Sequence, residues 1–419
     1  MTHSTSHSDY ANAPVPDDQT VPGWRVALII ASFTFALPGF LNGAQTGLAL
    51  GFGAAVLAAL LAGLILCIGA CLTAIISVRT RLTTYVLIQR SFGVRGAALV
   101  NIVLAIIHFC WFGVNVSFFG DAMVAAHAEG YGIPGNFSTY VIVGSALITV
   151  STIFGFKTLD RLAMIAVPLV GVILLAVCLK TTFGQAVDLL PSENPPVPMS
   201  FGIALSALVG GNMLTVAAMP DLSRFIRTER GAVLGMALSF PFAAPLLMVM
   251  SALIALTTLN TDIMQLVTSL GFGAPALLML LMSVWTINAL NLYSAGLSLA
   301  ATFPNVPQWA YVIGGGVVGC GFALVGIIEH FIPFLVTLGL IIPPIAAIYV
   351  IDGFTTFRQT GSIQPPAFRL RAIMVWIISL IVTIPATSLG YSLTTVPALD
   401  ATLLAAILYV LLRNSVSSD

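Results

Sequence analysis

Residues 31–43 read ASFTFALPGFLNG, and they lie at the centre of an apolar run, at about 25–45, that is long enough to cross a bilayer. Proline removes a backbone N–H donor and clashes with the preceding turn, so inside a membrane helix its effect on the backbone has to be compensated. The pair Pro38-Gly39, with Asn42 one turn later, therefore predicts a break in this helix. A break of this kind exposes backbone carbonyls and half-helix ends at mid-membrane.

The composition of the whole chain defines the class of protein in which this break occurs. The 419 residues are 58% hydrophobic and only 7% charged, and the mean hydropathy is +1.05. A soluble domain carries about a quarter charged residues, so the chain is predicted to be an all-α polytopic membrane protein. Twelve apolar runs have the length of a transmembrane helix and are named spans 1 to 12 here: about 25–45, 52–78, 97–125, 138–156, 162–181, 200–220, 232–257, 272–301, 309–328, 331–351, 372–389 and 397–412.

The basic residues orient these twelve spans in the membrane. With the N-terminus in the cytoplasm, all the arginines and lysines except Lys180 fall on the cytoplasmic side, as the positive-inside rule requires. The distribution predicts a multi-pass protein of the cytoplasmic (inner) membrane with both termini inside.

A second apolar run contains a feature similar to the Pro-Gly pair. Span 6 carries Gly210, Gly211 and Asn212 at mid-depth. If spans 1–10 form two halves of five, the two interrupted spans occupy corresponding places, which indicates a transporter site between inverted repeats. The alternative is that these glycines and the proline only permit close helix packing or a kink. The predicted organisation is a polar cytoplasmic tail at 1–22, repeats at 23–182 and 199–351, and two accessory helices at 372–413.

Span 3 places polar side chains on one face at membrane depth. His108, Trp111 and Asn115 are spaced i, i+3, i+7 and share one helix face. Polar residues inside a membrane are functional candidates by default, and the indole ring offers a flat surface for a planar ligand. The alternatives are a packed core aromatic for Trp111 and an interhelical hydrogen bond for His108.

Span 8 carries Ser283, Thr286 and Asn288 within two turns. Hydroxyl and amide side chains often only join membrane helices, but their density here favours a binding role. The spans contain no paired carboxylates, no Ser-His-Asp spacing and no His/Cys cluster, so the sequence gives no support to an enzyme.

At these residues the chain resembles the nucleobase:cation symporter family, and within it the cytosine permease branch. The similar segments occur in family order over essentially the whole chain. They are APVP (13–16), LTT (82–84), SFGVRG (91–96), WFGV (111–114), IAVP (165–168), DLSRF (221–225), VWTIN (284–288) and IPP (342–344).

The resemblance implies a five-plus-five inverted repeat with broken spans 1 and 6 and two added C-terminal helices. It implies a planar heterocycle bound at mid-membrane between spans 1, 3, 6 and 8, stacked on Trp111 and hydrogen-bonded by Asn288. His108 stands where the branch tends to have glutamine. The implied cation site joins span 1 carbonyls near Ser32 and Phe35 to the span 8 oxygens of Ser283 and Thr286.

The sequence departs from the family pattern at two places in this site. Asn212 stands where the branch has a second aromatic, so the ring is expected to stack on one side only. Ile287 replaces the second of two consecutive hydroxyl residues, which weakens a sodium site because a hard cation requires oxygen ligands.

The sequence thus predicts a secondary transporter, with no cofactor, that imports a nucleobase or a similar planar nitrogen heterocycle by cation symport. Sodium is favoured over a proton, for which His108 is the candidate carrier. The expected partners are the small-molecule substrate and the lipid bilayer, with no nucleic acid and no obligate protein partner. The alternatives are an amino-acid or amine permease of the same architecture and a receptor or channel without coupled transport. The identity of the base and the ion, and the oligomeric state, are left open.

Overall fold

A computed structural model describes residues 14–34, 37–133, 135–185, 187–271, 273–303, 305–357 and 365–415. In these ranges the chain forms sixteen α-helices. They are α1 (Gly23–Thr34), α2 (Leu37–Leu50), α3 (Phe52–Thr80), α4 (Thr84–Phe92), α5 (Val94–Tyr131), α6 (Phe137–Thr182), α7 (Phe201–Ala217), α8 (Met219–Ser223), α9 (Glu229–Ser239), α10 (Ala243–Thr258), α11 (Ile263–Ser269), α12 (Gly273–Thr302), α13 (Gln308–Leu324), α14 (Phe331–Thr355), α15 (Leu370–Ser388) and α16 (Pro397–Ser415).

The surface of these helices is apolar, as a membrane protein requires. Five helical segments in the described residues are long and apolar enough to cross a bilayer, and five shorter apolar helices lie on other predicted spans. On α3 the exposed side is a stripe of large apolar side chains at helical spacing, and the opposite side buries alanines. Water-soluble monomers rarely expose apolar patches of this size, so the stripe is suited to contact with lipid. The stripe consists of Leu57, Leu60, Leu64 and Ile68.

Spans 4 and 5 differ from the prediction, because the backbone from Phe137 to Thr182 is one helix of 46 residues. At a rise of about 1.5 Å per residue this helix is roughly 69 Å long, more than one membrane crossing needs. The predicted loop between the two spans contains charged residues but no proline, and charged residues do not end a helix.

The break predicted at the glycines of span 6 is wrong. Helix α7 passes through Gly210 and Gly211 without interruption and ends at Ala217; α8 begins at Met219. A Cβ atom on Gly210 would lie 1.9 Å from the carbonyl oxygen of Leu335 in α14. Gly210 therefore serves close helix packing, which was the alternative explanation for these residues.

Span 1 is represented by two helices. Helix α1 ends at Thr34 and α2 begins at Leu37, with Pro38 in the first turn of α2, where the missing N–H has no helical acceptor in any case. Residues 35 and 36 between the two helices lie outside the described ranges, so the nature of the predicted break stays a prediction.

The packing of the helices separates them into two groups. Helix α2 packs along α10, and α3 packs along α7; with α1 and α9 they form one group, called the bundle. Helices α5, α6, α12 and α13 pack mainly with one another and are called the scaffold. Exchanging the two predicted repeats would convert the pair α2–α10 into the pair α7–α3, so this pairing is what an inverted repeat produces. The repeat itself stays a prediction.

The segment before α1 is attached to the bundle rather than free. In this N-terminal strap (residues 14–22), the N–H of Val15 donates to the carbonyl of Arg81, at 3.2 Å, and the N–H of Val21 donates to that of Phe225, at 2.7 Å. Arg81 directly follows α3, and Phe225 lies in the segment that leads into α9. The predicted polar tail is therefore, from residue 14 onward, part of the fold.

A second strap lies at the same end of the molecule. In the segment 365–369, the carbonyl of Pro366 accepts from the N–H of Val94, at 2.9 Å, and the N–H of Arg369 donates to the carbonyl of Phe92, at 2.9 Å. These partners stand at the junction of α4 and α5. The second strap is therefore attached to the helix that leads into the scaffold.

A buried ionic group joins the accessory helix α16 to α14. The carboxylate of Asp352 is fully buried, and the hydroxyl of Tyr409 lies 2.9 Å from its Oδ2. Nη1 of Arg369 lies 3.9 Å from the same oxygen. A buried carboxylate requires such partners, and their removal is expected to destabilise the protein.

Candidate functional site

Helices α2, α5, α7 and α12 converge on a cavity of about 430 Å³. These helices correspond to spans 1, 3, 6 and 8, between which the family resemblance places the substrate. The cavity extends from the middle of these helices to α8 and the N-terminal end of α4. Its central walls carry Pro38, Gly39, Asn42, His108, Trp111, Asn115, Gly211, Asn212, Leu214, Ile287, Leu290, Asn291, Phe331 and Leu335.

The polar face predicted for span 3 lines this cavity, and its aromatic ring is held in place by α14. Trp111 makes edge contacts with Phe331 and Phe334, whose ring centroids lie 6.5 Å and 5.5 Å away. The amide nitrogen of Asn115 donates to the carbonyl of Trp111 one turn earlier, at 2.8 Å. The ring thus has a defined orientation on the cavity wall, as a stacking platform requires.

His108 forms the interhelical hydrogen bond that was its alternative role. Its Nδ1 lies 3.2 Å from Oδ1 of Asn291 in α12. An amide oxygen only accepts, so with this partner Nδ1 carries the proton and Nε2 of the neutral ring is an acceptor. Both residues line the cavity, so the bond between α5 and α12 is part of the cavity wall.

Helices α2 and α7 meet at the opposite wall. The amide nitrogen of Asn42 donates to the carbonyl of Ala207, at 3.2 Å, and that of Asn212 donates to Leu208, at 3.4 Å. Gly211 lies between them; a Cβ there would have only ordinary contacts, the nearest at 3.6 Å from the amide nitrogen of Asn42. Gly211 and Asn212 therefore line the cavity, although the helix around them is unbroken, and their role in substrate binding stays a prediction.

Two residues predicted for span 8, Thr286 and Asn288, do not line the cavity. Asn288 is fully buried, and neither its amide nitrogen nor its oxygen has a hydrogen-bond partner among the described residues. Thr286 is also buried, whereas Ile287, between the two, does line the cavity. The structure therefore brings Trp111 together with four of the predicted substrate residues, but not with Asn288.

The predicted cation site rests largely on residues that the structure does not cover. Phe35 lies outside the described residues, and so do the side chains of Ser32 and Ser283. The cation site therefore stays a prediction.

The far end of the cavity is charged. Asp221 and Arg224 line it together with Tyr85 of α4. Oδ1 of Asp221 accepts from the N–H of Thr84, at 2.9 Å. Burial raises the pKa of the Asp221 carboxyl to about 6, although the hydrogen bond from Thr84 and the charge of Arg224 oppose the rise.

The sequence reasoning missed several residues of the cavity wall. The sequence predicts a role for Asn42 only in the helix break, and on span 8 it favours Asn288 over Asn291, three positions later. Asp221 and Arg224 belong to the DLSRF segment that carried the family resemblance, which was the available signal for them. Tyr85 lies on α4, a helix too short to be detected as a span.

The fold and this cavity define a membrane transporter, not an enzyme. The sequence matches the family of permeases for cytosine/purines, uracil, thiamine and allantoin over residues 14–411. The chain belongs to this family, and the resemblance to the cytosine permease branch is confirmed.

Relatives and solved structures agree with this assignment. The cytosine permease of Escherichia coli (strain K12) is 27% identical over 353 residues, which are 84% of this chain and 82% of the relative. The cytosine permease of Escherichia coli O157:H7 matches to the same extent.

Three solved structures have a similar fold. The inward-facing conformation of Mhp1 has a TM-score of 0.77 and 20% identity, covering 96% of this chain and 94% of Mhp1. A closed conformation of Mhp1, a nucleobase-cation-symport-1 family transporter with bromovinylhydantoin bound, has a TM-score of 0.75 and 20% identity, covering 97% and 96%. A Na⁺-coupled sialic acid symporter has a TM-score of 0.69 and 13% identity, covering 99% and 93%. The expectation of a fold of this transporter type is thereby confirmed.

Proposed function

We propose that this protein is a secondary active transporter that imports a nucleobase or a similar planar nitrogen heterocycle by cation symport, with both termini in the cytoplasm. The heterocycle stacks on Trp111 at mid-membrane and is hydrogen-bonded by the amides around it. The cytosine permeases among its relatives favour a cytosine-like base.

The observation that supports this proposal best is the chemistry of the central cavity. The cavity wall that carries one indole ring also carries a histidine and four asparagine side chains, Asn42, Asn115, Asn212 and Asn291. Flat apolar surface together with amide groups suits a neutral planar ligand with hydrogen-bonding edges. An amino-acid substrate would instead require partners for its carboxylate and ammonium groups, and at this depth the cavity wall carries no charged side chain among the described residues.

Transport follows alternating access, in which the bundle rocks against the scaffold around the central cavity. The cavity extends toward α8, at the end of the molecule that the positive-inside rule predicts to be cytoplasmic. This shape matches a state from which substrate leaves to the cytoplasm.

We favour sodium over a proton as the coupled ion. The expected ligands are the oxygens of Ser283 and Thr286 and the backbone carbonyls near Ser32 and Phe35. Ile287 removes one hydroxyl, so the site is expected to bind sodium weakly, with water as an additional ligand. His108 is the candidate for proton coupling, since its unperturbed pKa of about 6.5 lies in the physiological range.

Uptake by the purified protein in liposomes tests the substrate and the ion together. The labelled substrates are cytosine, uracil, a purine, thiamine and allantoin. Sodium is replaced by choline at fixed pH, and an inward proton gradient is then imposed. We expect uptake of one base that requires sodium and is lost in Thr286→Val. Uptake of none of these substrates would refute the proposed function.

The same experiment separates the two ions. Full uptake in choline that is stimulated by inward protons and lost in His108→Gln would refute sodium coupling. Uptake that is indifferent to both gradients would indicate a channel or receptor without coupled transport.

A further inference from the structure

Asn42 on α2 is only 2% exposed, yet its side chain belongs to the cavity wall. Its amide nitrogen donates to the carbonyl of Ala207 at 3.2 Å. A carbonyl oxygen only accepts, so this bond fixes which end of the amide faces α7 and which end remains. The remaining end is Oδ1, which can act only as an acceptor.

Oδ1 of Asn42 has no hydrogen-bond partner in the described part of the chain. A buried polar atom without a partner is costly, and in native proteins such an atom usually has a functional explanation. A membrane interior increases this cost, since water is not available to replace the missing partner. The side chain is thus ready to accept a hydrogen bond that the protein itself does not supply.

Asn115, across the cavity on α5, has the same arrangement. It is 1% exposed, its amide nitrogen is used by the carbonyl of Trp111, and its Oδ1 has no partner among the described residues. The two acceptors belong to different groups of helices, Asn42 to the bundle and Asn115 to the scaffold. A ligand with N–H donors on two edges would satisfy both and would hold the two groups together.

We infer that Asn42 is a specificity-determining residue of the site, which accepts an N–H of the heterocycle through Oδ1 while Asn115 accepts another. This inference rests on the proposed function and names the substrate class more closely: a planar heterocycle that presents N–H donors toward both α2 and α5. A ring with a carbonyl oxygen or a methylated nitrogen at the Asn42 position leaves the acceptor unsatisfied.

The test is equilibrium binding of the best substrate and of analogues that each lack one N–H donor through N-methylation or replacement by C–H. Wild type and Asn42→Leu, in which an apolar side chain of similar size replaces the amide, are compared. We expect Asn42→Leu to lose roughly 5- to 150-fold in affinity for the full substrate, the range for a hydrogen bond to a buried group. For one analogue, the wild type should already show this loss, and the mutation should add little.

The matched control is Asn101→Leu. Asn101 is also a buried asparagine whose oxygen has no partner in the described ranges, but its nitrogen donates to Thr302 and it does not line the cavity. We expect this variant to bind every analogue as wild type does. Asn42→Ala, measured with its melting temperature, replaces Asn42→Leu if the leucine variant does not fold.

Equal losses in Asn42→Leu for the substrate and for every analogue would overturn the inference, because Asn42 would then act on the protein and not on a particular donor. A shift in the sodium concentration required for binding, with unchanged selectivity among analogues, would also overturn it and would make Asn42 an ion ligand. Failure of wild type to bind any heterocycle would refute the proposed function as well, so the two failures are distinguishable.

Discussion

Replacement of Trp111 by alanine tests the centre of the site most directly. Stacking of a base on an aromatic side chain contributes roughly 1–3 kcal/mol, so Trp111→Ala should weaken binding by about one to two orders of magnitude. The ring orientation set by Phe331 and Phe334 means that the flat surface is already in place before the ligand arrives. Trp111→Phe keeps an aromatic face at the same position and should retain part of the affinity.

The measurement is equilibrium binding of the labelled base to the detergent-purified protein, with a melting temperature for each variant. A fall in affinity alone is ambiguous, because removal of a packed indole also leaves a void and lowers stability. Trp285 supplies the control. It packs against Phe119 with its ring centroid 6.4 Å away, donates from Nε1 to Oγ of Ser151, and does not line the cavity.

We expect Trp285→Ala to lower the melting temperature with the affinity unchanged, and Trp111→Ala to lower the affinity. Wild-type affinity in a folded Trp111→Ala protein would remove the indole from the site and would refute the stacking argument. Equal losses of affinity in both variants would show that binding is sensitive only to general destabilisation.

Three further predictions concern packing, the buried ionic group and the charged end of the cavity. Gly210→Ala should lower the melting temperature and reduce the free energy of unfolding by about 1–3 kcal/mol, because the added Cβ would lie 1.9 Å from the carbonyl oxygen of Leu335. The control is Gly211→Ala, whose Cβ would have its nearest contact at 3.6 Å, and an equal loss of stability in both variants would contradict the packing role of Gly210. Tyr409→Phe removes a hydrogen bond to the buried carboxylate of Asp352 and should lower the free energy of unfolding by about 1.5–3 kcal/mol, measured by thermal or denaturant unfolding. Tyr349→Phe, which loses only a neutral hydrogen bond to the carbonyl of Ala217, is the control and should cost about 1 kcal/mol. Because the Asp221 pKa is raised to about 6, this carboxyl is charged above that pH and neutral below it, so transport measured against the pH on the cytoplasmic side should change near pH 6 in wild type; a change that persists in Asp221→Asn would exclude this carboxyl as its origin.

The polar face of span 3 could be predicted from the sequence because it depends only on the helical repeat. His108, Trp111 and Asn115 share a face in any α-helix, and membrane depth makes that face conspicuous. What the sequence could not provide is the rotation of each helix about its axis relative to the cavity. On α12 this rotation places Asn291 in the wall and buries Asn288, although both are asparagines three residues apart.

The structural role of the Gly210-Gly211 pair also could not be predicted from the local sequence. A Gly-Gly pair in a membrane helix is compatible with an unwound segment and with a close helix crossing. The residue that decides between these two alternatives is Leu335, more than a hundred residues later in the chain. Its carbonyl lies against Gly210 and makes this position a close helix crossing. A local pattern does not contain that information. The continuous helix α6 departs from the prediction for a related reason, since charged residues mark a membrane boundary without ending a helix.

The two straps at one end of the molecule provide reference points for measuring motion. Residues 14–22 are hydrogen-bonded to segments that follow α3 and α8, whereas residues 365–369 are hydrogen-bonded to the junction of α4 and α5. A pair of spectroscopic labels, one in each strap, is therefore attached to the two groups of helices without touching the cavity. The distance between the labels reports how far the bundle and the scaffold move apart at this end of the molecule. It can be measured in lipid by pulsed electron spin resonance or by fluorescence resonance energy transfer. For the same reason, a bulky group attached directly before residue 14 is expected to act on the bundle and not on the scaffold.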